Sequence, residues 1–102
     1  MTVVKRIESD LRPVDGSEAN DELAALAKAI AHPARMQILR ILQKRTRCTC
    51  GQLVEELPLA QSTVSQHLAV MKAAGLVETG SSGDYYLEPR ALRRLRALIG
   101  GL

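Results

Sequence analysis

The chain has 102 residues and a formal charge of +3, which suits one small domain with a modest core and favours anionic partners. It contains no Phe and no Trp, so the core must come from Leu, Ile, Val, Ala and Met. No run of about 20 apolar residues is present to span a bilayer. No charged start followed by an apolar stretch marks a secretory signal. Two cysteines one residue apart do not make the disulfide framework of a secreted domain, so a cytoplasmic location is expected.

Residues 1–20 are mostly polar and are interrupted by Pro13 and Gly16. They read as a flexible N-terminal arm, with the folded domain expected over 21–102. Residues 1–21 carry a net −2, so the remainder carries +5 and is more basic than the whole chain suggests.

Asn20 or Asp21 is expected to cap a first helix, with Leu23, Leu26, Ala27 and Ile30 along one apolar stripe. His32-Pro33 breaks it, and Pro33 suits the first position of the next helix. His32 is expected to be structural at this junction. Ile38, Leu39, Ile41 and Leu42 make the second helix apolar over a wide arc, which predicts the central packing element. Arg35, Arg40, Lys44, Arg45 and Arg47 line its outer side and its end, either as solvated charges near a helix C-terminus or as phosphate contacts.

Cys48-Thr49-Cys50 follows. Two thiols at i and i+2 can converge on one soft ion where the backbone is extended or entering a helix, and thiolates prefer zinc, cadmium or trivalent arsenic. Arg45 and Arg47 are expected to lower the thiol pKa values. A reversible thiol redox response and two inert semi-buried thiols are the other readings.

Residues 51–57 place Leu53, Val54 and Leu57 at helical spacing, and Pro58 stops that helix. From Gln61 to Gly75, Val64, Leu68, Met71 and Gly75 fall on one stripe. Opposite lie Ser62 and Gln66, with Ser65 on one flank and Thr63 on the other, while His67 lies near the edge of the apolar stripe; Gln61, Ser62, Thr63, Ser65, Gln66 and His67 are the expected DNA contacts. These side chains are short and polar, not the Glu/Lys pairs of a solvated helix face, and they suit base edges or phosphates in a major groove. A short helix, a turn of about three residues and a longer helix make a helix-turn-helix. Its weak point is Ala60 at the N-cap, with Ser62 expected to cap one turn later. Residues 76–79 and 84–87 then read as a short hairpin around Gly80-Ser81-Ser82-Gly83. Pro89 opens a last helix with Leu92, Leu95, Leu98 and Ile99 inward and Arg90, Arg93, Arg94 and Arg96 facing away.

HPARMQILRIL followed by CTCGQLVEELPLAQSTVSQHLAVMKAAGLVE resembles the ArsR/SmtB family of winged-helix transcriptional repressors, over about residues 23–98. The resemblance implies a mainly α fold with a minor β part: a winged helix-turn-helix of about five helices with a short two-stranded β-hairpin wing. It implies a homodimer, joined through the first and last helices, on a palindromic double-stranded DNA operator, released when an inducer binds. Cys48 and Cys50 match the metal- and metalloid-sensing pair of the arsenic and cadmium repressors, which makes As(III), Cd or Zn the implied inducers and leaves no obligatory cofactor. The third cysteine of arsenic-sensing relatives has Leu53 in its place, and the arm supplies no thiol. The wing has no Arg or Lys and is short. A thiol-redox-responsive repressor, an inducer-independent one and a protein-interaction adaptor are the alternatives. An enzyme is not expected, because there is no Gly-rich phosphate loop, no nucleophile–base set and no Cys-x-x-Cys.

Overall fold

The structure, a computed structural model, describes residues 12–102. The readings for residues 1–11 lie outside the described residues. Among the described residues, five helices and a small antiparallel sheet form in the order α1 (Ser17–Ile30), α2 (Pro33–Arg45), β1 (Arg47–Cys48), α3 (Cys50–Glu56), α4 (Gln61–Ala73), β2 (Val77–Thr79), β3 (Tyr85–Leu87) and α5 (Pro89–Gly100). The fold is the mainly helical winged helix-turn-helix expected from the sequence. No described helix is long and apolar enough to cross a membrane.

The first helix begins earlier than expected. Gly16, at φ 96°, is its N-cap and offers no side-chain acceptor, so Asn20 and Asp21 lie inside the helix and not at its cap. The second helix starts where Pro33 predicts. His32 is its N-cap, and His32 Nδ1 accepts the Ala34 amide at 3.0 Å. This is the structural role expected of that histidine.

Ile38, Leu39 and Leu42 of α2 meet Leu53, Leu57, Val64, Leu68, Met71, Leu76 and Val77 in the main core. Burying such side chains stabilises the fold by roughly 1.5–3 kcal/mol each before entropy is counted. A second cluster joins Ala19 and Leu26 of α1 to Leu95 and Leu98 of α5.

Local chemistry sets the ends of α3 and α4. Thr49 and Gln52 form a capping box: Thr49 Oγ1 accepts the Gln52 amide at 3.1 Å, and Gln52 Oε1 accepts the Thr49 amide at 2.9 Å. Leu57, before Pro58, is extended and ends the short helix. After α4, Gly75 at φ 79° lets the chain turn back. Its amide bonds Lys72 O at 2.9 Å, and the Leu76 amide bonds Met71 O at 3.0 Å. This is a Schellman closure, and only glycine adopts its left-handed position without strain.

The sheet has three strands in the order β1-β3-β2, where the sequence led us to expect two. β2 and β3 form the hairpin, with Glu78 opposite Tyr86. β1 adds along the free edge of β3, with Arg47 opposite Tyr86 and Cys48 opposite Tyr85. A strand of two residues has no period to read in a sequence, and its partner lies on the far side of the helix-turn-helix.

The last helix corrects one assignment. Arg94 does not face away; it is only 4% exposed. It lies three residues after Ala91 and four before Leu98, so helical geometry puts it on the inner stripe. Glu22 of α1 receives it at 2.9 Å from Nε and 2.8 Å from Nη2, the Arg12 carbonyl accepts from Nη1 at 3.2 Å, and the Pro13 carbonyl accepts from Nη2 at 2.6 Å. Ile99, expected to point inward, is 52% exposed.

Candidate nucleic-acid interface

α4 sorts its side chains as the spacing predicts. Val64, Leu68 and Met71 are fully buried, whereas Gln61, Ser62, Ser65 and Gln66 are exposed and Thr63 is half-buried. The outward face of the first two turns is therefore uncharged, short and able both to donate and to accept hydrogen bonds.

No side chain caps the start of α4. Ala60 offers none, and Ser62 does not cap because it lies within the helix at its second residue. The first amides of α4 thus keep their donors, and the positive end of the helix dipole favours an anionic group such as a phosphate there. The missing cap is a weakness in stability of about 1 kcal/mol.

His67 takes a different place from the other five polar residues of this face. Its ring lies 4.5 Å from that of His32, and its Nδ1 accepts a hydrogen bond from Arg35 Nε at 3.1 Å. Arg35 also donates to Lys28 O at 2.7 Å. This arginine therefore ties the end of α1 to the middle of α4. Burial, with His32 and Arg35 beside it, lowers the His67 pKa, so the imidazole is held neutral as an acceptor. His67 braces α4 against α2.

The two cysteines are brought near α4 but differ sharply. Cys48 is fully buried in the main core. Burial pushes its thiol pKa up; Arg45 opposes this, Glu56 adds to it, and burial wins. The expected lowering by both arginines therefore fails at Cys48. Arg45 is ion-paired to Glu56, and Arg47 turns to the opposite face of its strand. Cys50 is half-buried in the first turn of α3, and its Sγ lies 3.5 Å from Ser65 Oγ. Both thiols are free. Among the described residues, no three His, Cys, Asp or Glu side chains converge to hold a metal ion. The pair alone does not complete a three- or four-ligand soft-metal site.

Three contacts at this surface escaped sequence reasoning: Arg35 on His67, Lys72 Nζ on Thr79 Oγ1 at 3.0 Å, and Arg47 over Tyr86 at 4.4 Å. Each joins residues of different elements, so nothing in the local sequence signals it.

Comparison with known proteins agrees with this geometry. The family described as bacterial regulatory proteins of the arsR family matches residues 32–79, from the α2 cap to the end of β2. The transcriptional repressor SmtB of Mycobacterium tuberculosis is 41% identical over 82 residues, covering 80% of this chain; the chain spans 60% of that repressor's length. The transcriptional regulator YgaV of Escherichia coli is 39% identical over 82 residues, covering 80% of this chain and 83% of YgaV. A crystal structure described as a possible transcriptional regulator for arsenical resistance superposes with a TM-score of 0.68 at 33% identity, over 74% of this chain and 81% of that one. The chain belongs to the ArsR/SmtB family of winged-helix transcriptional repressors.

Proposed function

We propose that this repressor acts as a homodimer on a palindromic DNA operator, reads it with α4, and is released by a thiol-directed inducer that enters at Cys50. Gln61, Ser62, Thr63, Ser65 and Gln66 make the DNA contacts, and His67 positions their helix. The observation that carries the inducer reading is the 3.5 Å contact between Cys50 Sγ and Ser65 Oγ. A ligand on that sulfur has no room beside Ser65, so it displaces the outward face of α4. Two facts support the dimer: α1 and α5 pack together, and the end of α5 leaves Ile99 uncovered. A two-fold axis there sets two copies of α4 in successive major grooves.

The inducer class is set by sulfur chemistry: a soft ion such as As(III), Cd or Zn, or a mild oxidant. A three-coordinate ion on this pair takes its remaining ligand from outside the described residues.

The test is fluorescence anisotropy of the reduced protein on its own upstream promoter DNA. The Gln66→Ala variant binds operator more weakly while its helical spectrum is unchanged. Arsenite, cadmium, zinc and the oxidant are then titrated against wild type, Cys48→Ser and Cys50→Ser. Release by one agent that Cys50→Ser abolishes supports the reading. Tight binding that no agent disturbs refutes the inducer site and leaves a DNA-binding protein with structural cysteines.

A further inference from the structure

The wing has no cation of its own: Gly80, Ser81, Ser82, Gly83 and Asp84 include neither Arg nor Lys. We propose that Arg47 is the wing's DNA-phosphate contact, lent to it by β1. This rests on the DNA-binding reading above and adds a residue to it.

Arg47 stands opposite Tyr86 in the sheet, and its guanidinium lies 4.4 Å above the Tyr86 ring. Arg47 Nη1 reaches Asp84 Oδ1 at 3.2 Å, and Asp84 also receives Ser82 Oγ at 3.3 Å. The guanidinium therefore rests against the base of the loop and not out along α2. Gly80 leaves the space for it: a Cβ there would overlap both the Arg47 guanidinium and the Asp84 carboxylate.

On its other side the same loop is tied to α4. Lys72, in the last turn of α4, donates to Thr79, the residue before Gly80. Lys72, Thr79, Gly80 and Arg47 thus form a continuous path from the reading helix across the root of the wing, with a cation at each end.

Arg35 and Arg45 of α2 differ. Arg35 is engaged with His67 and Lys28 O, and Arg45 with Glu56. The Arg47 side chain is 51% exposed. A guanidinium has five donors in a planar fork, so one bond to Asp84 leaves others for a phosphate. Stacking on Tyr86 fixes its plane in advance, so less side-chain freedom is lost when DNA arrives. The ion pair with Asp84 is solvent-exposed on the arginine side and therefore weak enough to be shared or exchanged.

The test is the salt dependence of operator binding, measured by fluorescence anisotropy against KCl. Each phosphate contact contributes a slope of about −0.9 in log K against log salt, so two protomers contribute about −1.8 through Arg47. Arg47→Gln flattens the slope by that amount and weakens binding to operator and scrambled duplex alike, whereas Arg47→Lys keeps the slope. Gln66→Ala serves as the contrast: it lowers discrimination between the duplexes and leaves the slope in place. A folded Arg47→Gln protein with the wild-type slope overturns the proposal and makes Arg47 a purely structural sheet-edge residue. A wild-type protein with no salt-dependent operator binding overturns the DNA reading itself, and the proposal with it. A second measurement needs no variant: neutral methylphosphonates are placed one at a time along the operator flanks. Loss of wild-type affinity at one flank position supports the proposal, and indifference at every one overturns it.

Discussion

Cys48 and Cys50 are two residues apart, and a chromogenic aromatic disulfide should separate them by rate. The reagent is attacked by thiolate. An unperturbed cysteine, with a pKa near 8.5, is only about 3% thiolate at pH 7. Burial raises the Cys48 pKa, and each unit of increase removes about nine-tenths of that small fraction. Access adds a second factor. Cys48 has no exposed surface and belongs to a two-residue strand on the edge of the sheet. The reagent reaches it only after β1 leaves β3. We take that local opening at about 3 kcal/mol, well under the roughly 5–15 kcal/mol that holds a whole domain. It slows the reaction about 100-fold, and the raised pKa of the buried Cys48 thiol slows it further. Cys50 needs no such opening. Wild-type protein should therefore show a fast and a slow phase of equal size. Cys50→Ser should remove the fast phase, and Cys48→Ser the slow one. Urea above the unfolding midpoint should merge them. A single phase in native buffer, or loss of the fast phase in Cys48→Ser, would refute the reasoning and move the entry point for an inducer to Cys48.

Three further outcomes are expected. Glu22→Ala removes the carboxylate that the buried Arg94 meets through both Nε and Nη2; because Glu22 is itself partly exposed, it should destabilise by about 2–3 kcal/mol, below the range for a fully buried pair. Arg94→Met, which leaves the partly solvated Glu22, should destabilise less. Urea midpoints at fixed protein concentration give the order, and an Arg94→Met protein weaker than Glu22→Ala would contradict it. Thr49→Ala removes one half of the α3 capping box and should lower stability by about 1 kcal/mol with an unchanged urea slope; no loss would show that the box contributes nothing. The pH dependence follows from His67, whose pKa is lowered in the folded state. Above the unfolded value, near 6.5, both states are neutral and the Arg35 bond contributes fully. As pH falls from there toward the lower native value, the unfolded chain takes up the proton first, and stability is lost. The urea midpoint of wild type should drop over that window more steeply than that of His67→Gln, and parallel profiles would exclude His67 as the cause.

What could be read from the sequence was what repeats. Val64, Leu68 and Met71 recur at helical spacing, so the buried face of α4 and its polar opposite were both visible. Pro33, Pro58 and Gly75 marked element ends through backbone chemistry alone. Arg94 was misplaced because arginines were assigned outward by type, although its angle on α5 already put it with Ala91 and Leu98. His67 sits at the margin of the α4 stripe, where spacing does not decide, and the decision fell to His32 and Arg35 on other elements. Arg47 could not be found at all: its partner Asp84 is 37 residues away, and the strand that brings them together is too short to announce itself.

The alternation in β1 makes the connection between α2 and α3 length-locked. Successive strand residues point to opposite sides, so Arg47 lies over the sheet and Cys48 beneath it. Inserting or deleting one residue between Arg45 and Thr49 would exchange the two faces. A guanidinium would enter the core between Leu42 and Leu53, and a thiol would replace it beside Asp84. Nearby substitutions can retune the thiol or the charge, but the spacing between them works as a ruler, tolerating changes of chemistry and rejecting changes of count.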